Sequence, residues 1–315
     1  MDSGKRDHGG GLDAAAAQYG GQRGDWLDLS TGINPVPYPL PEIPENAWTA
    51  LPDEAALSEL ESAARRFWKV PEGAAVMAVP GASAAIVHIP HLAPAGTVHI
   101  PGPTYNEHAA SFAQAGWRVS HDAGHATASV HVHPNNPTGQ LWQVSDLHGA
   151  LRVIDESFCD VTPDRTLMDQ ALTPGTLILK SFGKFWGLAG VRLGFVIGDP
   201  ALLNQLRAML GPWAVAGPAL TIGADALRAQ QWAEGTRNRL HKDALRLDAL
   251  VTAKGAKLVG GTDLFRLYEV ENAAEWQETL AQHHIWSRIF PYNPHWLRLG
   301  LPAPDQWTRI EKAML

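Results

Sequence analysis

A chain of 315 residues, 45% of them hydrophobic, is long enough to bury a large core and to form two domains. Its formal net charge of −7 at pH 7, with arginines scattered along the chain, leaves no basic footprint for nucleic acid, and no apolar run reaches the length of a membrane span. The one cysteine, Cys159, excludes a disulfide framework within the chain and fits a cytoplasmic protein, and the polar, glycine-rich start does not read as a signal peptide.

Residues 1–45 read as an arm rich in Gly and Pro, with a short helix over Leu12–Tyr19. Leu57–Trp68 has the mixed apolar and charged spacing of an amphipathic helix. Strands are then expected at Val76–Val79, Thr97–Ile100, Trp117–Ser120, Ser129–His133, Arg152–Ile154, Leu177–Lys180 and Leu193–Ile197, alternating with helices. That alternation predicts an α/β fold: a mostly parallel, seven-stranded sheet with helices on both faces, forming a large domain over 46–220. Residues 200–254 read as helical, broken at Gly211-Pro212 and Gly217-Pro218. Strands near Lys257–Leu258, Phe265–Val270 and Leu297–Leu299 suit a smaller α+β domain over 221–315.

Lys184 lies in Ser181-Phe182-Gly183-Lys184-Phe185-Trp186-Gly187, a glycine-rich and apolar stretch. A desolvated lysine gives up its proton more easily and becomes an amine nucleophile toward a carbonyl. Ser181 before it and Arg192 after it suit a phosphate, the arginine through its fork of N–H donors. Together they suggest a lysine that forms a Schiff base with a phosphorylated aldehyde such as pyridoxal phosphate, and two further motifs agree. His133-Pro134-Asn135-Asn136-Pro137-Thr138-Gly139 is a sharp turn after a strand, where Asn136 can present a donor from a rigid position. Leu151-Arg152-Val153-Ile154-Asp155-Glu156 is a buried strand that ends in carboxylates. Asp155 at the strand end can pair with a protonated pyridine nitrogen, whereas Glu156 points to the other side of the pleat.

With these three motifs in this order, the chain resembles fold-type I pyridoxal-phosphate enzymes of the class I/II aminotransferase family, over nearly all its length. The resemblance implies Lys184 and Asp155 as catalytic residues, with Asn136 donating to the ring hydroxyl. It implies that Gly81, Ala82 and Ser83, with Ser181 and Arg192, hold the cofactor phosphate, and that Tyr105 stacks on the ring. Arg298 matches the arginine that grips a substrate carboxylate, and the family implies a homodimer.

The N-terminal pattern narrows the resemblance. Asp7-His8-Gly9-Gly10 and Ser30-Thr31-Gly32-Ile33-Asn34-Pro35 are similar to the branch that decarboxylates threonine phosphate for cobalamin biosynthesis, giving aminopropanol phosphate. That resemblance implies that His8 and Asn34 approach the substrate. Arg288 and Arg298, either side of the Pro291–Pro294 turn, offer two cationic anchors for a small amino acid carrying phosphate and carboxylate. The alternative reading is a histidinol-phosphate-type aminotransferase using 2-oxoglutarate. Two departures stand out. Phe158 occupies a position where the family usually has a tyrosine, and Leu51-Pro52-Asp53 replaces a segment whose tyrosine reaches the partner subunit's cofactor phosphate.

Fourteen histidines invite a metal reading. His131 and His133 share one face of a strand and His283 adjoins His284, but neither pair has a third ligand nearby in sequence, so no metal is expected. Cys159 reads as a small core residue, and the tryptophans as packing residues.

Overall fold

The computed structural model describes residues 8–314. The chain starts with helix α1 (Leu12–Tyr19) and the short strand β1 (Leu27–Asp28). Helices α2 (Glu45–Thr49) and α3 (Glu54–Phe67) lead to strand β2 (Ala75–Val79), helix α4 (Ala82–His88), strand β3 (Thr97–His99), helix α5 (Asn106–Gln114) and strand β4 (Arg118–Ser120). Strands β5 (Ala128–Val132), β6 (Leu151–Asp155), β7 (Thr176–Ser181) and β8 (Gly194–Gly198) follow. Helices α6 (Pro200–Leu210), α7 (Gly217–Ala226) and α8 (Gln230–Thr252) come next. The chain ends with strands β9 (Lys257–Thr262) and β10 (Phe265–Glu269), helix α9 (Ala273–Gln282), strands β11 (Ile285–Trp286), β12 (Arg288–Phe290) and β13 (Asn293–Gly300), and helix α10 (Trp307–Ala313). It divides into two compact units: Pro37–Gly235, and the chain up to Val36 together with the chain from Thr236. The sequence reading draws its boundaries at 45 and 220.

Pro37–Gly235 is built on a seven-stranded sheet in the order β2-β8-β7-β6-β5-β3-β4. The pairs from β7 to β4 are parallel, and β8 runs antiparallel to both its neighbours. All seven strands lie within one residue of the ends expected from sequence. Every residue of β5 and β8 is buried, as expected of strands covered on both faces. Val98, Val130, Val153, Leu177 and Val196 of the sheet share a core with Ile86, Phe112 and Trp117. Helix α3 begins where the Asp53 side chain accepts from the Ala56 amide at 3.0 Å, and it buries Leu60, Ala63 and Ala64. Because β5, β6 and β7 are parallel, their carboxyl ends open on one edge, and the turns that follow them gather there. The segment after β7 is braced by aromatics. Trp186 is fully buried between Phe182 (centroids 5.1 Å apart) and Trp232 (5.3 Å), and its carbonyl accepts from the Tyr38 amide at 2.9 Å.

The other unit has an antiparallel sheet, β12-β13-β10-β9, and a parallel pair in which Leu27 faces Ile285 and Asp28 faces Trp286. Leu12 and Ala15 of α1 pack with Trp26 and Ala281. The segment read as an arm thus supplies a helix and a strand to the C-terminal unit from residue 8 onward. No described helix is long and apolar enough to cross a membrane.

Candidate active site

At the carboxyl edge of the seven-stranded sheet is a pocket lined by Ala82, Ser83, Tyr105, Asn136, Asp155, Phe158, Ser181, Lys184 and Arg192, all named from the sequence. Ile86, Val132, Ser157, Gly183 and Ala189 complete its wall. The motifs are separated in sequence, and the parallel register of β5, β6 and β7 brings them together. Lys184 Nζ lies 5.2 Å from the centre of the Phe158 ring. The aromatic face that replaces a tyrosine therefore covers the amine without offering it a hydroxyl.

Gly81 has φ 81°, and a Cβ there would lie 2.6 Å from Arg192 Nη2. Only glycine lets the guanidinium come this close to the start of α4. Arg192 itself has φ 54° and donates from Nη1 to the Ala189 carbonyl at 3.1 Å. A non-glycine residue in the left-handed region is strained, and such strain gathers at functional sites.

Asp155 is 2% exposed. Its Oδ2 is 2.8 Å from His108 Nε2, and its Oδ1 accepts from the Ser157 hydroxyl at 2.6 Å and amide at 3.0 Å. Burial pushes the carboxyl's pKa up, but the hydrogen bonds and the His108 charge outweigh it and leave the pKa below the ordinary value. Neither His108 nor Ser157 was singled out from the sequence. The available signal was His108 lying one helical turn after Tyr105, toward which it packs edge-on at 6.0 Å. Asn135 also escaped notice. Its amide donates to the Pro103 carbonyl and the Thr138 hydroxyl, and its oxygen accepts from Thr104, so it ties the turn bearing Asn136 to the segment bearing Tyr105.

Glu156 turns away from the pocket, as the pleat requires. It pairs with Lys180 Nζ at 2.7 Å and accepts from Thr166 and the Leu167 amide. Burial opposes the charge on Lys180, but Glu156 and Asp160 outweigh it and raise its pKa. This buried pair joins the end of β6, next to Asp155, to β7 one residue before Ser181.

The remaining predicted residues lie in the other unit. Arg288 and Arg298 are register partners on β12 and β13. Arg298 is buried and donates from Nη2 to the Ser30 carbonyl at 2.5 Å, while Arg288 donates from Nη1 to the His8 carbonyl at 2.8 Å. Burial, then the neighbouring charge of Arg288, lowers the Arg298 pKa to about 10. Like charges directly opposite on adjacent strands are destabilising, and an anion between them removes the penalty. The His8-Gly9-Gly10 segment is held beside the pair. The Gly10 amide donates to Ser30 Oγ at 2.6 Å, the Trp286 indole donates to the Gly10 carbonyl at 2.9 Å, and a Cβ on Gly9 would lie 2.4 Å from the Ser30 oxygen. Asn34 is buried, and its Oδ1 accepts from the Val36 amide at 3.1 Å and Arg239 Nη2 at 2.6 Å.

Residues 25–311 match the family model for aminotransferase class I and II. The chain belongs to the class I and II aminotransferase family. It is similar to a threonine-phosphate decarboxylase from Sinorhizobium sp, 44% identical over 95% of this chain and 93% of the relative. It is also similar to a threonine-phosphate decarboxylase from Pseudomonas aeruginosa, 39% identical over 98% and 97%. The fold matches the histidinol-phosphate aminotransferase of Sinorhizobium meliloti in complex with pyridoxal-5'-phosphate, with a TM-score of 0.79 at 15% identity, covering 97% of this chain and 94% of that one. The architecture is therefore the fold-type I arrangement expected from the motifs, and members of this aminotransferase family depend on pyridoxal phosphate. The pocket's donors fit that cofactor. An amine, a buried carboxylate kept ionised, an asparagine amide and two serines with an arginine match in turn an aldehyde, a pyridinium, a ring hydroxyl and a phosphate.

Proposed function

We propose that this chain decarboxylates O-phospho-L-threonine to aminopropanol phosphate, a cytoplasmic reaction of cobalamin biosynthesis. The facing pair Arg288 and Arg298 carries the reading, because two cations on adjacent strands suit a substrate that bears both a phosphate and a carboxylate. The two threonine-phosphate decarboxylases at 44% and 39% identity support it over nearly the whole chain.

Lys184 attaches the cofactor through its amine and moves a proton at the substrate's α-carbon. Asp155, held by His108 and Ser157, keeps a proton on the pyridine nitrogen. Bound there, pyridoxal phosphate supplies an electron sink for the bond cleaved at the α-carbon. Asn136 is the main donor to the ring hydroxyl, because Phe158 has no hydroxyl. Tyr105 covers the ring, and Gly81, Ala82, Ser83, Ser181 and Arg192 hold the cofactor phosphate. Arg298 binds the substrate carboxylate, Arg288 with His8 its phosphate, and Asn34 approaches the substrate.

Phosphothreonine supplied alone should yield carbon dioxide and aminopropanol phosphate. Trace carbon dioxide, together with efficient glutamate formation from histidinol phosphate and 2-oxoglutarate, would establish the aminotransferase alternative instead.

The working form is proposed to be a homodimer. Trp48, Leu51 and Trp213 are each 60% exposed or more, and Trp213 shares a surface pocket with Pro52 and Asp53. Light scattering of the active protein tests this, and a fully active monomer overturns it.

A further inference from the structure

His99 on β3, His131 on the neighbouring β5 and His148 before β6 come together in the Pro37–Gly235 unit. Their ring centroids are 5.6 Å apart for His99 and His131, 4.8 Å for His99 and His148, and 6.2 Å for His131 and His148. His131 is completely buried. Four ring nitrogens in this cluster are buried without a hydrogen-bond partner in the protein: His99 Nδ1, both nitrogens of His131, and His148 Nε2.

The other two nitrogens determine the tautomers. His99 Nε2 lies 3.1 Å from the His121 carbonyl, and His148 Nδ1 lies 2.8 Å from the Asp146 carbonyl. A carbonyl only accepts, so each of these nitrogens carries the ring proton. The lone pair of each ring is then on the buried, unpartnered nitrogen. Imidazoles that bind metals are held in this way, with one nitrogen donating to a carbonyl and the other left for the ion. Burial lowers the pKa of His99 and His131, so both rings are neutral near pH 7, which is the ligand form.

We propose that His99 Nδ1, His148 Nε2 and one nitrogen of His131 bind a divalent transition metal ion of the imidazole-preferring class, such as zinc, nickel or copper, at a site separate from the cofactor pocket. Metal–nitrogen bonds of about 2.0–2.1 Å place bound ring centroids about 5 Å apart, and the observed spacings bracket that value. The three nitrogens do not yet converge, since not all lie within 4.8 Å of one another. Binding therefore requires rings to turn: His131, which no hydrogen bond restrains, and one of the stacked pair His99 and His148, whose planes lie 28° apart. The ion ties β3 and β5 to the approach to β6, the strand that carries Asp155.

Another group of potential ligands, His133, Glu156 and Cys159, is already compact, with its ligand atoms within 4.8 Å. Those atoms are committed elsewhere. Both His133 nitrogens have backbone partners, Glu156 serves Lys180, Thr166 and Leu167, and burial pushes the Cys159 thiol far up, so it keeps its proton.

The test uses cofactor-loaded protein stripped of metal with a chelator, then titrated with Zn2+ by calorimetry and with Co2+ by visible spectroscopy. One ion per chain should bind with Kd below about 1 μM, and Zn2+ should raise the melting temperature. His148→Asn and His131→Phe should each weaken binding about 100-fold and abolish the thermal shift, while His125→Asn should bind as wild type does. His148→Asn, at a partly exposed position, should fold and keep wild-type turnover even if His131→Phe does not fold. Wild-type protein that binds no stoichiometric ion, or binding that persists unchanged in His148→Asn, would overturn the proposal.

Discussion

His108 Nε2 and Asp155 Oδ2 are 2.8 Å apart, and both side chains are buried. Helix α5 thereby steadies a carboxylate at the end of β6. Asp155→Asn keeps the shape and loses the charge, so turnover should fall about 100-fold or more, equivalent to about 3 kcal/mol of transition-state stabilisation. His108→Phe removes one charge-assisted hydrogen bond, and a smaller loss, about tenfold, is expected. Steady-state kinetics, with circular dichroism to confirm folding, checks both. Near wild-type turnover in Asp155→Asn contradicts its role.

Lys184 should be the point of covalent cofactor attachment. The wild-type protein should be yellow, and borohydride followed by peptide mapping should fix the cofactor to Lys184. The Lys184→Ala variant should show no reduced adduct. An adduct at any other lysine in that variant refutes the assignment.

Arg298→Ala leaves Arg288 without its cross-strand neighbour and leaves the substrate carboxylate without its cation. The apparent KM for phosphothreonine should rise about 100-fold, since a hydrogen bond to a charged group is worth about 1.5–3 kcal/mol. Unphosphorylated threonine should be a very poor substrate for the wild type. His8 replacement should raise KM more than it lowers kcat. A selective fall in kcat for the His8 variant would show that its contact forms only in the transition state.

The metal-free protein should lose stability in acid through His131. Burial, then the charges of His99 and His148, depresses its folded pKa to about 4, against 6.5 for a free imidazole. Between those values the unfolded chain binds more protons than the folded one, so stability is full above about pH 6.5, falls as the pH drops, and levels off near 4. The whole effect is about 3 kcal/mol. Urea titrations at pH 7.5 and 5, in chelator, should show about 2 kcal/mol of it. His131→Leu should flatten the difference, and an unchanged difference would place the acid sensitivity elsewhere.

The sheet was legible because its strands are apolar runs punctuated by turn residues, and the pocket was legible because each motif follows one of those runs. β1, β11 and β12 have only two or three residues and carry no period of their own. They exist through pairing across the chain, such as Leu27 with Ile285, which no local pattern announces. Arg288 and Arg298 were each recognised, but their direct opposition depends on the β12–β13 register and its irregularity at Phe290. His131 was weighed as a ligand beside His133, its neighbour in sequence. Its actual neighbours, His99 and His148, become close only when β3 pairs with β5.

The pairing of β1 with β11 also sets an order of events on the ribosome. Pro37–Gly235 is continuous in sequence, so all of its residues are made before the last part of the chain. The segment before it cannot close by then, because Leu27 has no strand partner until Ile285 has emerged. Through that interval the nascent chain carries Leu12, Trp26 and Leu29, all buried in the finished protein, without the residues that cover them. A message cut short before the codon for Ile285 would yield a chain with its cofactor pocket encoded in full and its first strand still exposed.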